Sequence, residues 1–154
     1  IEVESDVPLE NLGCGNLVDV LYKKVARPNM LGPVYLTEHP TSLSPLARSN
    51  DIRPEISDRF QLVINGAEIV NGYSELVDPQ EQERRLLEQA ELKASGDEEA
   101  MEMDYDYITA MEYGMPPISG WGMGIDRIVQ LLTGSESIRD VVLFPLMRPT
   151  DKDI

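Results

Sequence analysis

The 154-residue chain is poor in several residue types, and each scarcity excludes a class of chemistry. Cys14 is the only cysteine, so no intrachain disulfide can form, and a reducing compartment, the cytoplasm, fits. A lone cysteine of this kind reads as a small buried apolar side chain rather than a nucleophile. His39 is the only histidine and stands in a proline-flanked loop with no cysteine near it, which argues against a histidine-based metal centre. Basic residues number 13 against 28 acidic ones, a net charge of −15. A field of that sign repels nucleic acid and anionic membrane surfaces, tolerates a cationic ligand, and equally serves solubility. No apolar run approaches bilayer-spanning length, no secretory signal opens the chain, and no segment repeats. The chain opens on Ile1 rather than Met, in the acidic stretch IEVESD, which reads as the cut edge of a longer polypeptide.

What is present suffices for one domain with a core, since 42% of residues are apolar. Apolar residues at 17, 18, 20, 21 and 25 predict a helix over residues 17–26, ended by Pro28. VYL at 34–36 reads as a short strand and HPTSLSP as a loop. FQLVI at 60–64 and AEIVNGY at 67–73 alternate as strands about Asn65-Gly66, a strong hairpin signal. A second helix starts at Asp78-Pro79 with Glu81 completing a capping box, and stops at Gly96. Leu86, Leu87, Ala90 and Ala94 form its expected inner stripe, with Glu81 and Arg85 paired on its exposed side. GDEEAMEMD is an acidic connection. Asp104 caps a third helix that Gly114 and Pro116 end. Residues 125–132 form a fourth, with Ile125, Ile128, Val129 and Leu132 on one face, and 138–144 form a last apolar element. Met101, Met103, Met111 and Met115 read as core filler. Short antiparallel strands with interspersed helices make an α+β fold, an antiparallel β-sheet flanked by helices.

Two constellations carry chemistry. In INGAEIVNGYSELVDP, Asn71, Tyr73 and Glu75 share a strand face, because side chains two residues apart point the same way. That face is either an exposed hairpin surface meeting water, or a pocket in which Tyr73 packs an aliphatic stem and Glu75 accepts a terminal ammonium. Glu68 lies seven residues before Glu75, an odd spacing that puts the two on opposite faces of a regular strand. Only a bulge or kink, with Gly72 as its place, lets them share a cation; Mg²⁺ beside a phosphate is the ion that suits such a pair. In GWGMGIDR, Gly120, Gly122 and Gly124 strip one strand face of side chains, and Arg127 follows at a helix start, where it can clamp a phosphate. Glycines packed sterically under a helix remain the alternative. The spacing is neither the dinucleotide fingerprint nor a P-loop.

GWGMGIDR followed by IVQLL resembles motif 3 of the class II aminoacyl-tRNA synthetases. FQLVINGAEIVNGYSELVDPQEQ, HPTSLSPLAR and SIRDVVLFPLMRP resemble signatures of the lysyl branch, and the resemblance covers residues 17–149. It implies that Glu75 takes the ε-ammonium of lysine, that Tyr73 (where Phe is usual) walls the side chain, and that Asn71 binds the lysine carboxylate. It further implies that Glu68 and Glu75 hold Mg²⁺ bridging the ATP phosphates, that Gly122 and Gly124 lie along the ligand, and that Arg127 contacts the adenine and γ-phosphate region. Trp121 stands where Leu is usual and is expected to face the core.

The family's motif 1, motif 2 and anticodon-binding barrel have no counterpart in the 154 residues. The chain is therefore expected to be the carboxyl-terminal part of a class II catalytic domain, inactive alone. Its parent would be an ATP-dependent lysine–tRNA ligase, a cytoplasmic homodimer acting on lysine, ATP and tRNA, with tRNA bound weakly or not at all by the acidic fragment and no membrane partner. The alternatives are a paralogue that ligates lysine to a protein, and a non-catalytic module that binds an amino acid or a partner.

Overall fold

Asn65 and Gly66 set the centre of the molecule. Both adopt left-handed backbone angles, φ 50° and 71°, as a two-residue type I′ turn requires. They join β2 (Arg59–Ile64) to β3 (Ala67–Ser74) as an antiparallel pair. The turn is held from outside: Gly66 N–H donates to the Met30 carbonyl at 2.9 Å, and Arg27 Nε donates to the Gly66 carbonyl at 2.7 Å. β1 (Val34–Thr37) pairs antiparallel with β2, and β4 (Ser119–Met123) lies beside β3, giving the order β1-β2-β3-β4. The computed structural model describes residues 14–97 and 100–146. The IEVESD stretch, the Cys14 side chain, part of the GDEEAMEMD connection and the end of PLMRP lie outside them. By its internal contacts the chain divides into two compact units, Ile1–Gly122 and Met123–Ile154.

The β2–β3 hairpin contains one irregularity that matters for everything on its surface. Leu62 pairs with Val70, but Val63 pairs with Glu68, so Ile69 is an extra residue on β3. This is a β-bulge, and it reverses the facing of every residue beyond it relative to a regular ladder. The expected place for such a break, Gly72, is regular and pairs with Phe60. Gly72 is required for a different reason. A Cβ there would lie 2.8 Å from Phe60 Cε1 and 2.8 Å from Trp121 Cβ, closer than side-chain carbons approach.

Helices flank the sheet. α1 (Cys14–Leu21) continues as a wider π turn, Tyr22–Ala26, and a 3-10 turn, Arg27–Asn29. Pro28 sits inside that last turn rather than after the helix, where its missing N–H costs nothing. α2 (Pro79–Ala94) starts as expected: Asp78 accepts hydrogen bonds from Gln80 N–H and Glu81 N–H, and Gly96 follows the end with φ 110°. The capping box is only half formed, because Glu81 turns its carboxylate to Arg84 and Arg85. The inner face of α2 is Gln82, Arg85 and Leu86, while Leu87 and Ala94 are exposed. Arg85 is thus buried, not on the outer side. Its Nη1 donates to the Ala47 carbonyl at 2.8 Å and its Nη2 to Ser49 Oγ at 2.7 Å. α3 (Tyr105–Glu112), capped by Asp104, packs Ile108 and Met111 against Leu86 as the core cluster, with Leu46, Met103, Tyr107 and Met115 around it. Met101 is the one methionine of the four that is exposed.

In the second unit, α4 (Ile125–Thr133) ends at Gly134, φ 67°. Its apolar stripe is present but uncovered: Ile125 is 62% and Leu132 80% exposed. The final apolar stretch forms only a short 3-10 turn, Ile138–Asp140, capped by Ser137, and Leu143 and Phe144 beyond it are exposed.

Candidate functional site

The bulge at Ile69 assembles one polar face from residues whose spacing alone would have split them. Cross-strand partners share a face, so Arg59 opposite Tyr73, Gln61 opposite Asn71 and Val63 opposite Glu68 all point the same way. Glu68 therefore joins Asn71 and Tyr73. Hydrogen bonds follow this placement: Gln61 Nε2 donates to Glu68 Oε2 at 2.5 Å, and Arg59 Nε donates to Asn71 Oδ1 at 2.9 Å. Arg59 Nη1 reaches the other way, to the Leu43 carbonyl and Ser44 Oγ, both at 3.0 Å. Those two acceptors come from the HPTSLSP segment, which is a loop with a 3-10 turn at Thr41–Leu43.

The same loop fixes Glu75. Ala47 forms an isolated antiparallel bridge with Glu75, and Leu76 N–H donates to the Leu46 carbonyl at 2.9 Å. Glu75 N–H donates to the Ile118 carbonyl at 2.9 Å, tying the residue to the approach of β4. Gln82 and Arg85 of α2 hold the loop from beneath through the Pro45 and Ala47 carbonyls, at 3.1 and 2.8 Å. The Glu75 side chain is half-buried, and among the described residues its carboxylate accepts no hydrogen bond and meets no cation. Burial pushes its pKa above the ordinary carboxylate value. Tyr73 is also pushed up, first by burial and then by Glu75. Tyr107 of α3 is raised by burial and feels both Glu75 and Tyr73.

β4 supplies a surface without side chains. A Cβ on Gly120 would come within 3.7 Å of Glu75 Oε1, and one on Gly122 would meet nothing within 4 Å. Trp121 does not face the core. It is 67% exposed, with its Cβ against Gly72 on the opposite side of the sheet. Gly124 and Arg127 belong to the second unit. There Gly124 is the N-cap of α4, and the Arg127 stem folds over it, its Cδ 3.2 Å from where a Cβ would stand. Of the predicted residues, Glu68, Asn71 and Tyr73 share one face of β3, Glu75 follows just beyond its end, Gly122 lies on β4, and Gly124 and Arg127 stand at the start of α4.

Among the described residues no group of three or more His, Cys, Asp or Glu is arranged to hold a metal. His39 is buried, and burial foremost, with the Arg59 charge, depresses its pKa. A cleft of about 300 Å³ is lined by Thr37, Glu38, Arg53, Asp58, Arg59 and neighbours, and by none of Glu68, Asn71, Tyr73 and Glu75. Arg59, Gln61 and Tyr107 were not singled out from sequence. The alternation of RFQLV puts Arg59 and Gln61 on one face, but their partners depend on the bulge.

Residues 17–148 match the family described as tRNA synthetases class II (D, K and N). The lysine–tRNA ligases of Salmonella paratyphi B, Salmonella newport and Salmonella enteritidis are each 53% identical to the chain over 137 residues, which is 89% of the chain and 27% of each relative. The chain therefore spans about a quarter of the length of these curated relatives. No helix among the described residues is long and apolar enough to cross a membrane. With this match over most of its length, the chain belongs to the class II (D, K and N) tRNA synthetases.

Proposed function

We propose that the chain is the carboxyl-terminal part of the catalytic domain of a lysine–tRNA ligase, an enzyme that joins lysine to ATP as lysyl-adenylate, releases pyrophosphate and passes lysine to tRNA. The observation that carries this reading is Glu75: a half-buried carboxylate that meets no cation among the described residues, on the strand-face line of Tyr73 and beside the bare backbone of Gly120. A ligand ammonium at the end of a methylene stem matches it in charge and shape. Asn71 takes the lysine carboxylate at the other end. Gly122 and Gly124 let the ligand lie against the chain, and Arg127 binds the adenine and γ-phosphate region of ATP.

Glu68 and Glu75 are hard oxygen donors, a ligand type that suits Mg²⁺, which keeps most of its shell for water and phosphate oxygens. Bound there, the ion would neutralise phosphate charge. The reaction is an in-line attack of the lysine carboxylate on the α-phosphate. This chain's residues contribute positioning and charge, with no protein nucleophile. The whole enzyme is a cytoplasmic homodimer, and tRNA binding belongs to it rather than to this acidic segment.

Glu75→Gln in the full-length ligase tests the reading. Norleucine has the lysine stem without the amine, so a site built on the carboxylate–ammonium pair discriminates strongly between them. Glu75→Gln should erase most of that discrimination by weakening lysine, with ATP affinity measured without amino acid as the control. An unchanged lysine-to-norleucine ratio in kcat/KM would remove Glu75 as the ammonium acceptor.

A further inference from the structure

We infer that Arg59 is a positioning residue for amino-acid selection: it holds the Asn71 amide so that Asn71 Nδ2 faces the ligand carboxylate. The inference rests on the reading of Asn71 given above and adds a residue to it. A guanidinium has only donors, so the Asn71 atom that meets Arg59 Nε at 2.9 Å must be the amide oxygen. With the oxygen committed, the NH₂ group must point elsewhere, and among the described residues Nδ2 makes no hydrogen bond. An Asn free to turn would present its oxygen to a carboxylate half the time and repel it. Arg59 cannot turn to release it, because Nη1 is tied to the Leu43 carbonyl and to Ser44 Oγ, and Ser44 is itself buried. The guanidinium is thus a strap between the 3-10 loop and β3, reading the loop's position into the orientation of one amide. The bulge at Ile69 makes this possible, since a regular ladder would face Arg59 with Gly72.

The role predicts an effect confined to ligands that carry a carboxylate. In the full-length ligase, KM for lysine is measured by lysine-dependent pyrophosphate exchange, and cadaverine, which has the stem and terminal amine but no carboxylate, is measured as an inhibitor. Asn71→Ala and Arg59→Lys should each raise the lysine KM by about ten-fold, the loss of roughly one hydrogen bond to a charged group. The cadaverine inhibition constant should stay within about two-fold, and the double variant should be no worse than Asn71→Ala alone, because Arg59 acts through Asn71.

A wild-type lysine KM in Arg59→Lys, an equal loss of lysine and cadaverine, or additive losses in the double variant would each overturn the inference. If Asn71→Ala raises the lysine KM and Arg59→Lys does not, the Asn71 reading stands and only the inference fails. If Asn71→Ala leaves the lysine KM unchanged, both fail. Should Arg59→Lys not fold, Asn71→Asp decides. A carboxylate beside Arg59 forms an ion pair but offers no donor, so the melting temperature should hold or rise while the lysine KM climbs. A fall in melting temperature of more than about 4 °C would show that Arg59 does not contact residue 71.

Discussion

Glu81 shows how much one side chain of α2 carries. Its carboxylate accepts from Arg84 Nη2 and from Arg85 Nε, both at 2.7 Å. Arg84 is exposed and its pair is screened, so the contact that matters is with Arg85, which is buried. Together these partners, the Arg84 hydrogen bond foremost, hold the Glu81 pKa at about 2, below its ordinary 4.5. Because the unfolded chain binds the proton first, the stabilisation is fully present above pH 4.5 and is lost as pH falls through about 2. Glu81→Gln should lower stability at pH 7 by about 1–2 kcal/mol, the weight of a charge-assisted bond to a half-satisfied buried arginine. Thermal unfolding followed from pH 7 downward should show variant and wild type converging between pH 4.5 and 2. A gap that persists at pH 2 would mean that Glu81 acts through packing rather than charge. Glu75 is the opposite case: its carboxyl is raised by burial and has no cation, and it costs stability as it ionises. A folded chain keeps such a group where a ligand supplies the missing charge.

At the scale of elements, β3 is where stability and site are most tightly joined. Its bulge at Ile69 sets which residues share the face of Asn71 and Tyr73, and its Gly72 lets Phe60 from β2 and Trp121 from β4 close over the opposite side. Phe60 is pinned in turn by Tyr35, with ring centroids 6.1 Å apart. Gly72→Ala places a methyl against ring atoms and a Cβ that have little room to yield, an overpacking cost of about 1–3 kcal/mol. Gly72 lies between Asn71 and Tyr73, so the shift should also raise the lysine KM of the full-length ligase. Denaturant unfolding and lysine titration of that variant check both parts. Wild-type values in both would mean that the strands can separate at no cost. The 3-10 loop belongs to the same assembly, because it holds Arg59 on one side and Glu75 on the other.

At the scale of the molecule, charge sets the outcome. The chain carries −15 and spans about a quarter of its relatives. Lysine activation needs cations around a polyphosphate, and of the candidate site residues only Arg127 is assigned to it. The 154-residue chain by itself should therefore catalyse no lysine-dependent pyrophosphate exchange. Activity above a heat-killed control would show that this segment alone neutralises the α-phosphate. Large apolar side chains are left uncovered in each unit: Ile52 and Tyr113 in the first, and Leu132, Leu143 and Phe144 in the second, are 80% exposed or more.

Local chemistry determined much of this protein from sequence alone. Asn65-Gly66 can only turn, Asp78-Pro79 can only start a helix, and alternating apolar residues can only lie on a sheet, so the hairpin and the helix start stand where the sequence puts them. The helix at 125–132 and the polar set Asn71, Tyr73 and Glu75 were legible in the same way. Facing and pairing were not. Counted from the Asn65-Gly66 turn, a regular ladder sets Arg59 opposite Gly72 and Gln61 opposite Val70. One extra residue, Ile69, sets them opposite Tyr73 and Asn71 instead. A bulge leaves no mark in composition or periodicity, because its stabilisation comes from packing around Ile69, which is buried. The burial of Arg85 is illegible in the sequence for the same reason. An arginine spaced four residues from a glutamate reads as a surface pair, and only the Ala47 carbonyl and Ser49 hydroxyl, 38 and 36 residues away in the chain, make an interior position satisfiable. Spacing determines which residues can share a face; the tertiary partners of the backbone decide which ones do.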